Sequence, residues 1–135
     1  MTLEQKLHRA QQHLADAYGL EPEITARQVT VLDYVAAQNG VTQTAIVQAT
    51  GIDRSTTATM VHEMVKRGLL ARKRSKTDAR AYAVMISGDG RAALKAARPK
   101  IAKADRRALS QLSNDERLAL IAALDAIVMP DRDDT

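Results

Sequence analysis

Residues 42–68 decide the fold and have the sequence TQTAIVQATGIDRSTTATMVHEMVKRG. Thr42 precedes a short helical segment that stops at Thr50-Gly51, and Asp53 is a capping residue for a longer one that Gly68 terminates. Two short helices joined by a tight turn that contains glycine are typical of a helix-turn-helix. The stretch therefore predicts helices over residues 43–49 and 54–67.

A basic hairpin is predicted immediately after this unit. Residues 69–74 and 81–86 have the composition of two short strands, and the polar segment 75–80 lies between them. A helix-turn-helix that is followed by a basic β-hairpin matches the winged helix arrangement. The hairpin is then the wing, and it can approach the DNA groove next to the one that the helix occupies.

Helical segments flank this central unit on both sides. Apolar residues recur every three or four positions in residues 3–17, 94–108 and 117–128, and Thr-x-x-Gln at Thr25 and Ser-x-x-Glu at Ser113 are capping boxes. Pro99 predicts a kink in the long helix after the wing. These stripes carry more apolar positions than so small a monomer needs, which favours a homodimer.

The predicted fold class is mainly α with a small β-hairpin wing, a winged helix-turn-helix flanked by N- and C-terminal dimerisation helices. The predicted organisation is a dimerisation helix at residues 1–20, a DNA-binding region at 25–87, dimerisation helices at 88–129 and an acidic tail at 130–135.

The charge of the chain is segregated along the sequence. The net charge is +4, but residues 66–80 hold seven basic residues against Asp78 alone, and residues 91–107 hold seven against Asp105. The rest of the chain has six basic and fourteen acidic residues. Clustered Lys and Arg favour a polyanionic partner, because binding to phosphates releases counterions. We expect the first cluster to face DNA, whereas the second is equally consistent with a solvated helix face.

Several other classes of function lack their residues. The chain has no cysteine, which excludes disulfides and thiol chemistry, and no run long enough to span a membrane or resembling a secretion signal. His62-Glu63 begins like the zinc-protease motif His-Glu-x-x-His, but Lys66 occupies the place of the second histidine. We therefore expect a cytoplasmic protein that is not an enzyme and has no catalytic residues, metal or cofactor.

The residue types at the start of the second helix favour contact with double-stranded DNA. Arginine can hydrogen-bond guanine or a phosphate, and hydroxyls suit base edges or phosphates. The alternatives are that Ser55 and Thr56 only cap the helix and that His62 is solvated. The predicted major-groove residues are Arg54, Ser55, Thr56, Thr59 and His62.

Other basic and polar residues are predicted to contact the DNA backbone or the minor groove. Arg80 can insert into a narrow minor groove, and Asp78 can hold a wing arginine in place. The predicted phosphate contacts are Thr42, Gln43, Arg72, Lys73, Arg74 and Lys76.

Together these segments resemble the MarR family of bacterial winged helix regulators. The resemblance rests on GIDRST at residues 51–56, on KRGLL at 66–70 and on the wing pattern Asp78-Ala79-Arg80-Ala81, and it extends through VMIS at 84–87 to Gly90. The family pattern runs Asp-x-Arg-Ala, a short strand and Leu-Thr-x-x-Gly. It assigns the wing arginine to Arg80 and the supporting acid to Asp78.

The resemblance further implies a homodimeric transcriptional regulator, most often a repressor, on a pseudo-palindromic operator. Many relatives release DNA when a small ligand binds between the dimer helices and the DNA-binding region, so a small-molecule effector is an expected partner. Because aromatic residues are scarce, with Tyr18 and Tyr34 more suited to core packing, we expect either that any effector is small or aliphatic or that the protein has none. The departures are Ala79, where relatives often have arginine, and Gly88, which we expect to loosen the start of the next helix.

Two alternatives to a sequence-specific regulator are open. A winged helix can serve as a protein–protein interaction module, or it can bind DNA without regard to sequence as an architectural protein. The small polar and basic residues at 54–56 favour DNA over protein. They do not separate specific from architectural binding, because phosphate contacts would use the same basic residues.

Overall fold

The protein is mainly helical, with one antiparallel hairpin. The computed structural model describes residues 1–20, 24–74 and 82–128. The elements in chain order are α1 (Leu3–Ala17), α2 (Ala26–Ala36), α3 (Gln43–Thr50), α4 (Arg54–Lys66), β1 (Leu70–Arg74), β2 (Tyr82–Ile86), α5 (Gly88–Leu109) and α6 (Asn114–Val128). This architecture confirms the predicted fold class. The wing loop at 75–80 and the acidic tail at 130–135 lie outside the described residues.

Local capping sets the helix starts where the sequence predicted them. The Thr25 hydroxyl accepts a hydrogen bond from the Gln28 backbone N–H at 3.2 Å, and the Gln28 side chain accepts one from the Thr25 N–H at 3.0 Å. Ser113 and Glu116 form the same reciprocal pair before α6. The far ends differ by one residue from the prediction, since α3 continues to Thr50 and α4 ends at Lys66.

Helix α2 lies at the centre of the core. Val31, Leu32 and Val35 are fully buried, and they pack with Ile46 of α3 and Met64 of α4. The sheet and α5 complete the same cluster. Their buried members are Leu70, Val84, Leu94 and Ala97.

The hairpin is attached to the start of α3. β1 pairs antiparallel with β2, with Leu70 opposite Ile86 and Arg74 opposite Tyr82. Val41 exchanges two backbone hydrogen bonds with Val84, at 3.0 and 2.6 Å. Because Val41 directly precedes the Thr42 cap, these bonds place the N-terminus of α3 beside the base of the wing.

The long helix α5 connects the helix-turn-helix and the hairpin to the terminal helices α1 and α6. It continues through Pro99, where the expected kink stays a prediction. The Tyr18 hydroxyl at the end of α1 donates to Asp105 of α5 at 2.9 Å, and Arg98 of α5 forms an ion pair with Asp33 of α2. Neither α1 nor α6 contains a buried residue, although both carry apolar stripes.

Candidate nucleic-acid interface

The turn between α3 and α4 is fixed by side-chain hydrogen bonds and one glycine. Gly51 has a left-handed φ of +74°, which ends α3 without the steric cost that a side chain would add. The Asp53 carboxylate then accepts from the Thr56 N–H at 2.9 Å and caps α4. The fully buried Thr57 donates its hydroxyl to the Ile52 carbonyl at 3.3 Å. These contacts define where the first turn of α4 stands.

Burial divides α4 into an inner and an outer face. Its buried residues are Thr57, Met60, Val61 and Met64. At 100° per residue, the positions opposite them are Ser55, Thr59, His62 and Lys66, all of them exposed.

The five predicted major-groove residues therefore differ in placement. Ser55, Thr59 and His62 share the outer face, where the Thr59 hydroxyl donates to the Ser55 carbonyl at 3.1 Å. Arg54 is exposed at one edge of this face, and Thr56 is partly buried at the other. Lys66 lies on the same face and was not singled out from the sequence, although its helical spacing of eleven residues from Ser55 aligns the two positions.

The predicted phosphate contacts on β1 lie on two faces of the hairpin. Side chains alternate along a strand, so Arg72 and Arg74 share one face and Lys73 points to the other. Arg72 pairs with Val84 and Arg74 with Tyr82, so the same face carries an aromatic ring. The Arg74 guanidinium carbon lies 6.0 Å from the centre of the Tyr82 ring.

A cavity of about 270 Å³ joins the wing to the start of α3. Thr42, Gln43 and Thr44 line one side, and Arg72, Tyr82 and Val84 line the other. Three predicted phosphate contacts, Thr42, Gln43 and Arg72, are thus brought together around one cavity. The structure adds Tyr82, which is half exposed. Only the strand register, which the sequence did not provide, reveals that this tyrosine stands beside Arg72.

The remaining predicted contacts cannot be placed in the same way. Lys76, Asp78 and Arg80 lie outside the described residues, so the predicted minor-groove insertion stays a prediction.

Asp53 is the acidic residue that caps the start of α4, and its carboxylate interacts with the backbone of that helix end. Hydrogen bonds from Thr56 lower the pKa of the Asp53 carboxyl, and the positive charge of Arg27 lowers it further. The carboxylate is therefore ionised at neutral pH and remains engaged at the helix start, where a negative charge is favourable. Arg27, at the start of α2, adds a cation beside the turn that the sequence analysis did not consider.

Two further cavities lie along α5, away from the outer face of α4. One, of about 210 Å³, is lined by alanines of α5 with Leu20, Ile24, Arg67 and Lys100. The other, of about 360 Å³, has Tyr18 and Lys103 among its lining residues. Burial and the hydrogen bond to Asp105 raise the pKa of Tyr18 to about 12, so its hydroxyl stays protonated. Tyr34 instead packs against the core, as the sequence suggested.

Neither a cluster of metal-binding side chains nor a membrane-spanning helix is present in the part of the chain that the structure describes. In residues 1–20, 24–74 and 82–128, no three histidine or acidic side chains come together as a metal site. Over those same residues, no helix combines the length and apolar character needed to cross a membrane.

Comparisons with known proteins agree with this geometry. The MarR family profile matches residues 18–81. Transcriptional regulator HosA of Escherichia coli is 32% identical over 107 residues, covering 79% of each chain. The transcriptional repressor CouR, solved with a 23-mer DNA duplex, is 32% identical with a TM-score of 0.82, covering 95% of this chain and 93% of CouR.

A third relative was solved with a small molecule. The PcaV transcriptional regulator of Streptomyces coelicolor, in complex with its natural ligand, is 26% identical with a TM-score of 0.84. The match covers 93% of this chain and 88% of PcaV. These relatives are regulators and not enzymes, in agreement with the sequence prediction. The chain belongs to the MarR family of DNA-binding transcriptional regulators.

Proposed function

We propose that this protein is a sequence-specific repressor that binds a pseudo-palindromic operator as a homodimer and is released by a small effector. The observation that carries the proposal is the outer face of α4. Small polar side chains and one cation stand there opposite a buried face, and the hairpin adds a separate cavity that is lined by Arg72. Support for repression comes from CouR, a repressor that was solved on DNA.

The outer face of α4 supplies the base contacts in this proposal. The major groove accepts an α-helix whose first turns face the base edges. Ser55 and Thr59 are short enough to let the helix backbone approach the bases, and His62 continues the same face one turn further on. Arg54, at the edge of the face, is suited to a guanine or to an adjacent phosphate.

The cavity between α3 and the wing supplies a phosphate seat. The first backbone N–H groups of a helix have no partner within the helix and favour anions. Thr42 and Gln43 bring this helix end to one side of the cavity, and Arg72 brings a full positive charge to the other. Arg74 and Lys73 extend the positive charge along β1. We further propose that Lys76 adds a phosphate contact and that Arg80, supported by Asp78, enters the minor groove.

The exposed apolar residues of α1 and α6 support the homodimer. Leu3 is 61% exposed in α1, and Leu118, Ile127 and Val128 are 69%, 59% and 78% exposed in α6. Stripes of this kind are costly in water, and a second copy of the chain would bury them. Two-fold symmetry then presents two α4 helices to two half-sites about one helical turn apart.

The smaller cavity on α5 supports the effector. Its floor is made of alanines with Leu20 and Ile24, and Arg67 and Lys100 bring positive charge to its edge. Its volume of about 210 Å³ is below the roughly 300–1,000 Å³ of cavities that hold drug-sized ligands. A small carboxylate with an aliphatic body fits this combination. PcaV, solved with its natural ligand, shows that a relative of this fold binds a small molecule.

The DNA preference is tested by selecting duplexes from a random pool at physiological salt and sequencing those that bind. We expect an inverted repeat with half-sites about 10 base pairs apart. Recovery of duplexes without a common motif would instead indicate architectural binding. Recovery of no DNA would favour the protein-interaction module, and either outcome would contradict the proposal.

The phosphate seat is tested by Arg72→Ala, with Arg106→Ala near the end of α5 as the matched control. Loss of one phosphate contact should weaken binding to all sequences alike and make the plot of log K against log salt shallower by about 0.9. Fluorescence anisotropy titrations at several salt concentrations provide both quantities. An Arg72→Ala slope equal to that of Arg106→Ala would remove the seat from the account.

The effector site is tested by thermal-shift measurements with a panel of short aliphatic and aromatic carboxylates. We expect an aliphatic member to raise the melting temperature of the wild type and to release its operator. Arg67→Ala should weaken the binding of that carboxylate. Lys95→Ala, at a position outside the cavity lining, should leave its binding unchanged. An aromatic carboxylate that binds more tightly than every aliphatic one would contradict the assignment of ligand class.

A further inference from the structure

The end of α4 and the start of α5 meet in an unusually close contact. Gly90, in the first turn of α5, is buried against the segment that follows α4. A Cβ added to Gly90 would overlap the Leu69 carbonyl oxygen and would lie 2.8 Å from Cγ1 of Ile86. Since a carbonyl of the backbone cannot move aside as a flexible side chain can, only glycine allows this approach.

Hydrogen bonds through Ser87 reinforce the same contact. The Ser87 hydroxyl donates to the Gly68 carbonyl at 2.5 Å and accepts from the Gly90 N–H at 3.0 Å. The Ser87 N–H donates to the Leu69 carbonyl at 3.1 Å. Gly68, Leu69, Ser87 and Gly90 form what we call the α4–α5 joint. These bonds hold the start of α5 although Gly88, which was expected to loosen it, is its first residue.

The joint links the two parts of the molecule whose relative orientation matters for a dimer. One arm is α4, which carries the outer face, and the other is α5, which leads to the terminal helices. The hairpin separates the arms in sequence, yet direct backbone contact connects them. The smaller α5 cavity is lined by residues that neighbour the joint in sequence, Arg67 just before Gly68 and Ala93 in the turn after Gly90.

A small rotation at the joint is sufficient to change which DNA the dimer fits. The 13 residues of α4 give a helix about 20 Å long at 1.5 Å per residue. A difference of about 10° in the angle at which α4 is packed against α5 would displace the N-terminal turn by roughly 3.5 Å, close to the 3.4 Å rise of one base pair. A small change of angle at the C-terminal end of α4 therefore corresponds to a larger displacement of its exposed first turn.

We propose that Ser87 and Gly90 are positioning residues that set the angle between α4 and α5 and thereby the half-site spacing that the dimer accepts. This inference rests on the proposed function. Neither residue is placed in contact with DNA.

The test uses the operator obtained by selection, together with versions whose half-sites are one base pair closer or further apart. Affinity for each duplex is measured for the wild type and for Gly90→Ala, Ser87→Ala and Ser87→Thr. Gly88→Ala is the matched control for Gly90→Ala, because a Cβ at Gly88 meets nothing within 4 Å. Ser113→Ala is the control for Ser87→Ala, because it removes the same kind of helix cap from α6.

We expect the wild type to prefer its native spacing by about 10-fold or more, a difference of about 1.4 kcal/mol. Gly90→Ala and Ser87→Ala should reduce the ratio of affinities for native and altered spacings to about threefold or less, or they should make another spacing the preferred one. Ser87→Thr, which keeps the hydroxyl, and both controls should retain the wild-type ratio. If Gly90→Ala does not fold, the two Ser87 variants provide the same comparison.

Different results of this experiment would contradict the role of the joint and the proposed dimeric recognition. Wild-type protein that binds all spacings equally would overturn the proposed dimeric recognition. A clear wild-type preference that Gly90→Ala and Ser87→Ala both preserve would overturn the role of the joint and leave the proposed function intact. Ser87→Ala and Ser113→Ala could also lower the stability of the protein equally and leave the preference for half-site spacing unchanged. That result would show that Ser87 acts only as a helix cap and would overturn its positioning role.

Discussion

Burial of one side of α4 is the constraint on which the rest of the structure depends. Thr57, Met60, Val61 and Met64 are buried, and removing any of these side chains from the core would cost on the order of 1–5 kcal/mol. With that side fixed inward, the opposite face has to point outward. The packing of the core therefore places the polar and basic side chains on the outer face. The small side chains among them allow the helix to approach base edges.

The position of the wing also depends on the hydrophobic core. Val84 is buried in the core and exchanges backbone hydrogen bonds with Val41, so the hairpin and the start of α3 are held together by residues that do not touch DNA in our account. Arg72 and Tyr82 are then carried to their positions by strand alternation. The phosphate seat is thus a consequence of hydrophobic packing and strand pairing, and the exposed Arg72 lies on the same face of the hairpin as the buried Leu70 and Val84.

The sequence predicted features that depend on neighbouring residues and missed those that depend on strand register or distant contacts. Capping at Thr25, Asp53 and Ser113 is local, so the helix starts were predictable from spacing alone. The proximity of Tyr82 to Arg72 requires the register of β1 on β2, and the imperfect alternation of the strands did not specify it. The contact of Gly90 with Leu69 joins segments on either side of the hairpin, so the family pattern marked Gly90 without giving its physical reason.

We propose that a symmetric dimer holds two α4 helices one turn of DNA apart. Because the chain has no cysteine, Glu63→Cys places a single spin label on each α4. Pulsed electron–electron dipolar spectroscopy then measures the distance between the two labels in the operator complex. The account predicts one main distance near the roughly 34–36 Å of a helical turn, broadened by the label linkers. Absence of dipolar coupling, or a main distance about half a turn away from this value, would contradict it.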